Sequence, residues 1–189
     1  MLKPGVFLDR DGVLVRPVVR HGTPYAPLRW EEFELLPGAA ESTARLRRAG
    51  YVVVVVTNQP EVRRGTLSAD LLEQFHRRLR ELAPVDDVLA CCHDDRDGCS
   101  CRKPRPGLIV QAARRHSIDL FRSYLVGDTE RDLGAARAAG LPCLLIEAPY
   151  NAGLAADARV ADLKAAADLI LAPSADRQIN KSSDPFTRS

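Results

Sequence analysis

The chain has 189 residues, 46% of them apolar, and a formal charge of +2. That length supplies one domain with a substantial core, and so small a net charge gives no argument by itself for a nucleic-acid or membrane partner, and neither is expected. Asp9 and Asp11 interrupt the only early apolar run, so no signal peptide is expected, and the longest β-branched run, Val52–Val56, is far too short to span a bilayer. A cytoplasmic, soluble monomer is the expectation.

Strand-like and helix-like segments alternate along the chain, which predicts an α/β fold with a mostly parallel sheet. A first strand covers Val6–Asp9. A loop rich in Pro, Gly and Arg follows from Val15 to Arg29, with Tyr25 and Trp30 nearby as candidate pocket residues. A helix begins after Pro37-Gly38 and stops at Gly50, a residue suited to a helix end. Tyr51–Val56 reads as a central strand buried on both faces. Ser68 caps a helix that runs to Leu82, Val85–Ala90 is a third strand, and Gly107–His116 is helical. Ser123–Val126 is a strand, Glu130–Ala139 a helix closed by Gly140, and Cys143–Ile146 a further strand. Ala158–Ala167 is assigned to a last helix and Leu169–Leu171 to a short edge strand. The domain is bounded at 1–173, and the polar stretch from Ser174 to Ser189 is expected to be a disordered tail.

Ligands of open α/β sheets bind beyond the carboxyl ends of the strands, and polar residues stand at those ends here. Asp9 and Asp11 follow the first strand at i, i+2, a spacing that sends both side chains to one side. Two carboxylates so placed repel unless a cation lies between them or one is protonated. Thr57 and Asn58 follow the second strand, Asp128 the fourth, and Arg102-Lys103 lie in the loop after the third. Together they make a phosphoryl-transfer set. One carboxylate attacks phosphorus, its neighbour works as acid and base, Mg²⁺ takes carboxylate oxygens, and Thr57 and Lys103 hold the phosphoryl oxygens. Taken singly, Asp11-Gly12 also reads as a turn, Asp128 or Thr129 as a helix cap, and Lys103 as a surface lysine. His76 is expected on a solvated helix face.

Four of the five cysteines fall between Cys91 and Cys101. Cys91, His93, Cys99 and Cys101 match a closed tetrahedral zinc site, with a cluster of reduced or redox-active thiols as the alternative. Cys92 and Cys143 are spare. Arg102 and Lys103 follow the last ligand directly, so a structural zinc would stiffen the loop that presents them.

Phe7-Leu8-Asp9-Arg10-Asp11-Gly12-Val13, Val56-Thr57-Asn58-Gln59, Arg102-Lys103-Pro104 and Val126-Gly127-Asp128-Thr129-Glu130-Arg131-Asp132 resemble the four motifs of the haloacid-dehalogenase (HAD) superfamily. The Cys-x-His…Cys-x-Cys loop is similar to that of its capless branch (subfamily IIIA), which holds heptose-bisphosphate and histidinol-phosphate phosphatases. The resemblance implies a Rossmann-like three-layer α/β/α fold without a cap domain. It implies Asp9 as nucleophile, Asp11 as acid/base, and Thr57 and Lys103 as phosphoryl stabilisers. Asn58, Gln59, Arg64 and Arg102 are candidate substrate contacts. Mg²⁺ would be held by Asp9, Asp128 and, through its backbone carbonyl, Asp11; zinc would be held by Cys91, His93, Cys99 and Cys101.

The implied activity is a phosphoric monoester hydrolase acting on a small phosphorylated metabolite. Its expected reaction removes the 7-phosphate of D-glycero-D-manno-heptose 1,7-bisphosphate, with histidinol phosphate or another small sugar phosphate as the alternative. From a different class, the chain reads as a zinc-stabilised binding module without catalysis. Pro60-Glu61 and Thr129 depart from the resemblance.

Overall fold

The structure, a computed structural model, describes residues 1–173; the expected disordered tail lies outside the described residues. In chain order the elements are β1 (Lys3–Leu8), β2 (Val18–Arg20), β3 (Thr23–Tyr25), α1 (Ala39–Arg48), β4 (Val52–Asn58), α2 (Ala69–Leu82) and β5 (Asp87–Cys91). They continue with α3 (Gly107–His116), β6 (Ile118–Gly127), α4 (Glu130–Ala139), β7 (Cys143–Ile146), β8 (Ala158–Val160) and α5 (Leu163–Leu171).

Six strands form one parallel sheet in the order β5-β4-β1-β6-β7-β8. Val53–Val56 of β4 and the Val6–Leu8 end of β1 are fully buried, as strands covered on both faces must be. Leu46 of α1, Leu79 of α2 and Ile170 of α5 pack with Val6, Leu8 and Val53 on one face. Leu108 and Ile109 of α3 and Ala135 and Ala136 of α4 pack with Phe7, Val54 and Val56 on the other. The result is three layers, α/β/α. Chain order runs outward from β1 through β4 to β5, then returns to β6 on the far side of β1. The switch point therefore falls at the carboxyl end of β1, where Asp9 stands.

Two segments depart from expectation. Ala158–Val160 is not the start of the last helix but the edge strand β8, and Leu169–Leu171 closes α5 instead of adding a strand. Asp162 is the reason: its carboxylate accepts from the Ala165 amide and starts the helix there. The loop from Val15 to Arg29 contains the β2–β3 hairpin, turned at His21 (φ 50°) and Gly22 (φ 75°). Its strands are short and largely exposed, and one contains Pro24, so it carried no strand signature. Among the described residues no helix is long and apolar enough to cross a membrane.

Leu46, fully buried between α1 and the sheet, tests the packing. Leu46→Ala should lower the unfolding free energy by about 2–5 kcal/mol, read from urea denaturation; a loss below that range would show that this layer is loosely packed.

Candidate active site

The floor of the site is a buried charge cluster. Lys103, 2% exposed, places its ammonium 2.9 Å from Asp9 Oδ1 and 2.6 Å from Asp132 Oδ1. Asp9 sits at the end of β1, where its amide donates to the Val126 carbonyl. The Arg10 amide also donates to Asp9 Oδ1. Among the described residues Oδ2 takes no hydrogen bond, and Asp9 lines the cavity above.

Asp132 is fully engaged, since its second oxygen accepts from the amides of Asp128 and Thr129 and from the Thr129 hydroxyl. Those bonds tie Asp132, in the first turn of α4, back to the two residues that lead into the helix. Asp128, at the end of β6, keeps Oδ1 buried with no partner. Gly12, at φ +88°, makes room for that carboxylate: a Cβ there would come within 2.0 Å of Asp128 Oδ2.

Burial pushes the Asp9 carboxyl up to about 7; Lys103 opposes the shift, while Asp132 and Asp11 add to it. Burial, then Asp132 and Asp9, push Asp128 well above the usual carboxylate range. Ligand oxygens of Asp9, Asp128 and Asp132 lie within 4.8 Å of one another. Three clustered carboxylates against one ammonium leave a deficit of positive charge, and Asp128 Oδ1 offers an open oxygen ligand. A hard cation such as Mg²⁺ fits both.

Asp11 is held from beneath the cavity. Buried Arg10 donates to both its oxygens, at 3.0 and 2.9 Å, and Gln59 Nε2 donates to Oδ2 at 2.8 Å. The same Gln59 amide reaches Thr57 Oγ1 at 3.0 Å. Gln59 was expected at the substrate, but it is wholly buried and serves as a strut between Thr57 and Asp11. His76 corrects the sequence reading further: it is 5% exposed, not solvated, and accepts from Arg10 NH1 at 3.5 Å. The Arg10 guanidinium also lies 5.9 Å from the Phe75 ring, which stacks with Phe33 and Trp30. Trp30 thus packs locally and does not line the site, whereas Tyr25 does.

A cavity of about 390 Å³ opens over this floor. Its wall includes Thr23–Ala26 of the hairpin, Asn58, Glu61 and Arg64 after β4, and Arg102 and Arg131. Asn58 is in the cavity, but its amide is committed to a two-way bond with the Lys103 backbone, 3.0 Å in each direction. It therefore fixes the lysine loop. Asp95 accepts from both Arg102 (2.7 Å) and Arg131 (3.0 Å), and Asp94 accepts from Arg64 at 2.5 Å. One nitrogen of Arg102, NH1, is buried without a partner.

Cys91, His93, Cys99 and Cys101 converge beside this wall as free thiols and imidazole. Their sulfurs are 3.1 to 3.6 Å apart, and His93 Nδ1 lies 3.6 and 3.3 Å from Cys91 and Cys101. Tetrahedral thiolate–zinc geometry, with bonds of about 2.3 Å, requires edges of about 3.7 Å. Cys143 is buried in the sheet and Cys92 is half-buried, both outside the cluster.

Asp9, Asp11, Thr57, Asn58, Arg64, Arg102, Lys103 and Asp128 thus share one cavity. Asp132, Asp95, Arg131 and Tyr150, whose hydroxyl donates to Asp128 Oδ2, were not singled out. Asp132 carries a signal at four residues after Asp128, whereas Tyr150 has none.

This fold and site define a HAD-like hydrolase, and residues 100–172 match the family model described as HAD-hydrolase-like. The chain is 39% identical over 152 residues to the D-glycero-beta-D-manno-heptose-1,7-bisphosphate 7-phosphatase of Rhodopseudomonas palustris, covering 74% of this chain and 81% of that one. It is 42% identical over 137 residues to the corresponding alpha-heptose enzyme of Mycobacterium bovis, covering 69% and 70%. The crystal structure of the D,D-heptose 1,7-bisphosphate phosphatase of B. bronchiseptica, complexed with magnesium and phosphate, superposes with a TM-score of 0.76 at 34% identity, covering 89% of this chain and 98% of that one. The chain belongs to the heptose-bisphosphate phosphatase family of HAD-like hydrolases.

His76 supplies a pH test of the support under Asp11. Burial, then Arg10 and Arg80, lower its pKa from 6.5 to about 3. A depressed folded pKa gives stability that is complete above 6.5 and is lost as pH falls toward 3, because the unfolded chain takes the proton first. At pH 5 the loss is about 2 kcal/mol. His76→Gln should remove that component, so the wild type should lose about 2 kcal/mol more than the variant between pH 7.5 and 5 in urea denaturation. Parallel pH profiles would show that His76 is protonated in place.

Proposed function

We propose that the chain removes the 7-phosphate of D-glycero-D-manno-heptose 1,7-bisphosphate through an aspartyl-phosphate on Asp9, with Mg²⁺ as cofactor. The observation that carries this reading is the open Asp9 Oδ2 over a buried Lys103, at the floor of an arginine-walled cavity. The substrate comes from the relatives of both anomeric names, and the cation from the magnesium and phosphate of the B. bronchiseptica complex.

In the first step an Asp9 oxygen attacks phosphorus and the bond to the sugar oxygen breaks. Asp11 gives that oxygen its proton. In the second step Asp11 takes a proton from water as the water oxygen attacks phosphorus, releasing phosphate and restoring the Asp9 carboxylate. Lys103 and Thr57 hold the equatorial oxygens while charge spreads over them. Arg10 and Gln59 fix the Asp11 carboxylate in register with Thr57. Asp9, Asp128 and the Asp11 carbonyl would hold Mg²⁺, which supplies positive charge against the carboxylates and the phosphoryl group. Arg102, Arg64 and Arg131 line the cavity and suit the second phosphate.

Cys91, His93, Cys99 and Cys101 would hold a structural zinc. Its work is orientation: the same loop carries Asp95, which grips Arg102 and Arg131, and leads directly into Lys103.

Asp9→Asn should cut phosphate release from the heptose bisphosphate by roughly 10³-fold or more while leaving the circular dichroism spectrum unchanged. In the wild type, the bisphosphate should be preferred over histidinol phosphate in kcat/KM. No release from the bisphosphate would overturn the substrate, and unimpaired turnover by the variant would overturn the nucleophile. Metal analysis should find about one zinc per chain, and stripping it should raise KM for the bisphosphate through the loosened arginines. Zinc-free protein with an unchanged KM would contradict the role of the loop.

A further inference from the structure

Tyr150 lies in the short 3-10 turn Pro149–Asn151 after β7, outside the four motifs. Its hydroxyl donates to Asp128 Oδ2 at 2.5 Å, across 22 residues of sequence. The next residue completes the contact, since buried Asn151 donates from Nδ2 to the Asp128 carbonyl at 2.7 Å and to the Ile146 carbonyl at 2.8 Å. The Ala148 amide donates to Asn151 Oδ1, and Arg159 donates to the same oxygen. This turn therefore grips Asp128 by both side chain and backbone.

The consequence is an asymmetric carboxylate. Oδ2 is occupied by the phenol and lies against Gly12, while Oδ1 is buried with no protein partner. The Asp128 carboxylate cannot swing Oδ2 away from the phenol without breaking a charge-assisted hydrogen bond in a buried site. Tyr150 is not among the residues lining the substrate cavity, so its contact is with the carboxylate and not with the substrate.

We propose that Tyr150 is a positioning residue for the cation, locking Asp128 as a one-oxygen ligand with Oδ1 presented, an inference that rests on the Mg²⁺-dependent phosphatase reading. Asn151 fixes the height of the same residue through its backbone. The phenol contributes no proton and no contact to the reacting phosphoryl group.

The test is Tyr150→Phe, which deletes one oxygen and keeps the ring. Mg²⁺ binding to the full-length protein, followed by isothermal calorimetry without substrate, should weaken roughly tenfold or more. The apparent Mg²⁺ constant in turnover should rise in parallel. At saturating Mg²⁺, kcat and the KM for heptose bisphosphate should return to wild-type values, and the metal-free variant should remain folded by circular dichroism. Unchanged or tighter Mg²⁺ binding would overturn the proposal, as would a raised substrate KM that excess Mg²⁺ does not restore. Wild-type protein that neither binds Mg²⁺ nor needs it for turnover would instead overturn the phosphatase reading itself. Should the variant be misfolded, Asn151→Asp keeps the Tyr150 hydroxyl while replacing the amide donor to the Asp128 carbonyl, and it should likewise weaken Mg²⁺ binding.

Discussion

A single buried ammonium holds the site together. Lys103 lies between Asp9 and Asp132, at the meeting point of the ends of β1 and β6 and the first turn of α4. A charge so deeply buried is tolerable only when paired and hydrogen-bonded. Burial alone would lower the lysine pKa, but Asp132 and Asp9 raise it above the ordinary value, so the ammonium form is secured. The surrounding structure serves this arrangement: Asn58 clamps the lysine backbone, Asp132 is fixed by the cap of α4, and the cysteine loop delivers the segment from the other side.

The same cluster is the physical reason the site suits both a cation and a phosphate. Asp9 and Asp128 are buried close to Asp132, and their raised pKa values record the cost of leaving them charged without further positive charge. In the proposed mechanism a divalent cation held there would offset that cost and leave Asp9 an anionic nucleophile. A phosphoryl group bound as proposed would meet Lys103 and Thr57 in a place shielded from bulk water, where each interaction is stronger than at the surface. In the proposed mechanism charge balance thereby links metal binding to reactivity, and the turn holding Asp128 bears on it only by positioning that carboxylate.

Much of this was legible in the sequence, and the reasons are physical. Strand β4 could be placed because a strand covered on both faces must be a continuous apolar run, and Asp9, Thr57 and Asp128 because each directly follows such a run. The cysteine cluster was legible because three thiols and an imidazole in a stretch without apolar residues leave little else for them to do. The β2–β3 hairpin was not, since its exposed strands bury too little to leave a periodic pattern. His76 was misplaced because helical periodicity in an arginine-rich segment cannot reveal a buried guanidinium arriving from another strand end. Gln59 and Tyr150 owe their roles to contacts across the fold, and no local spacing encodes those.

In the proposed mechanism the open oxygen of Asp9, poised over Lys103, becomes phosphorylated in each cycle. Acid-quenching the Asp11→Asn variant early in its reaction with heptose bisphosphate, followed by peptide mass mapping, tests it most directly. A phosphoryl group is expected on the peptide containing Asp9, lost on treatment with hydroxylamine. Phosphate release with no phosphorylated peptide, or a phosphoryl group on any other residue, would contradict it.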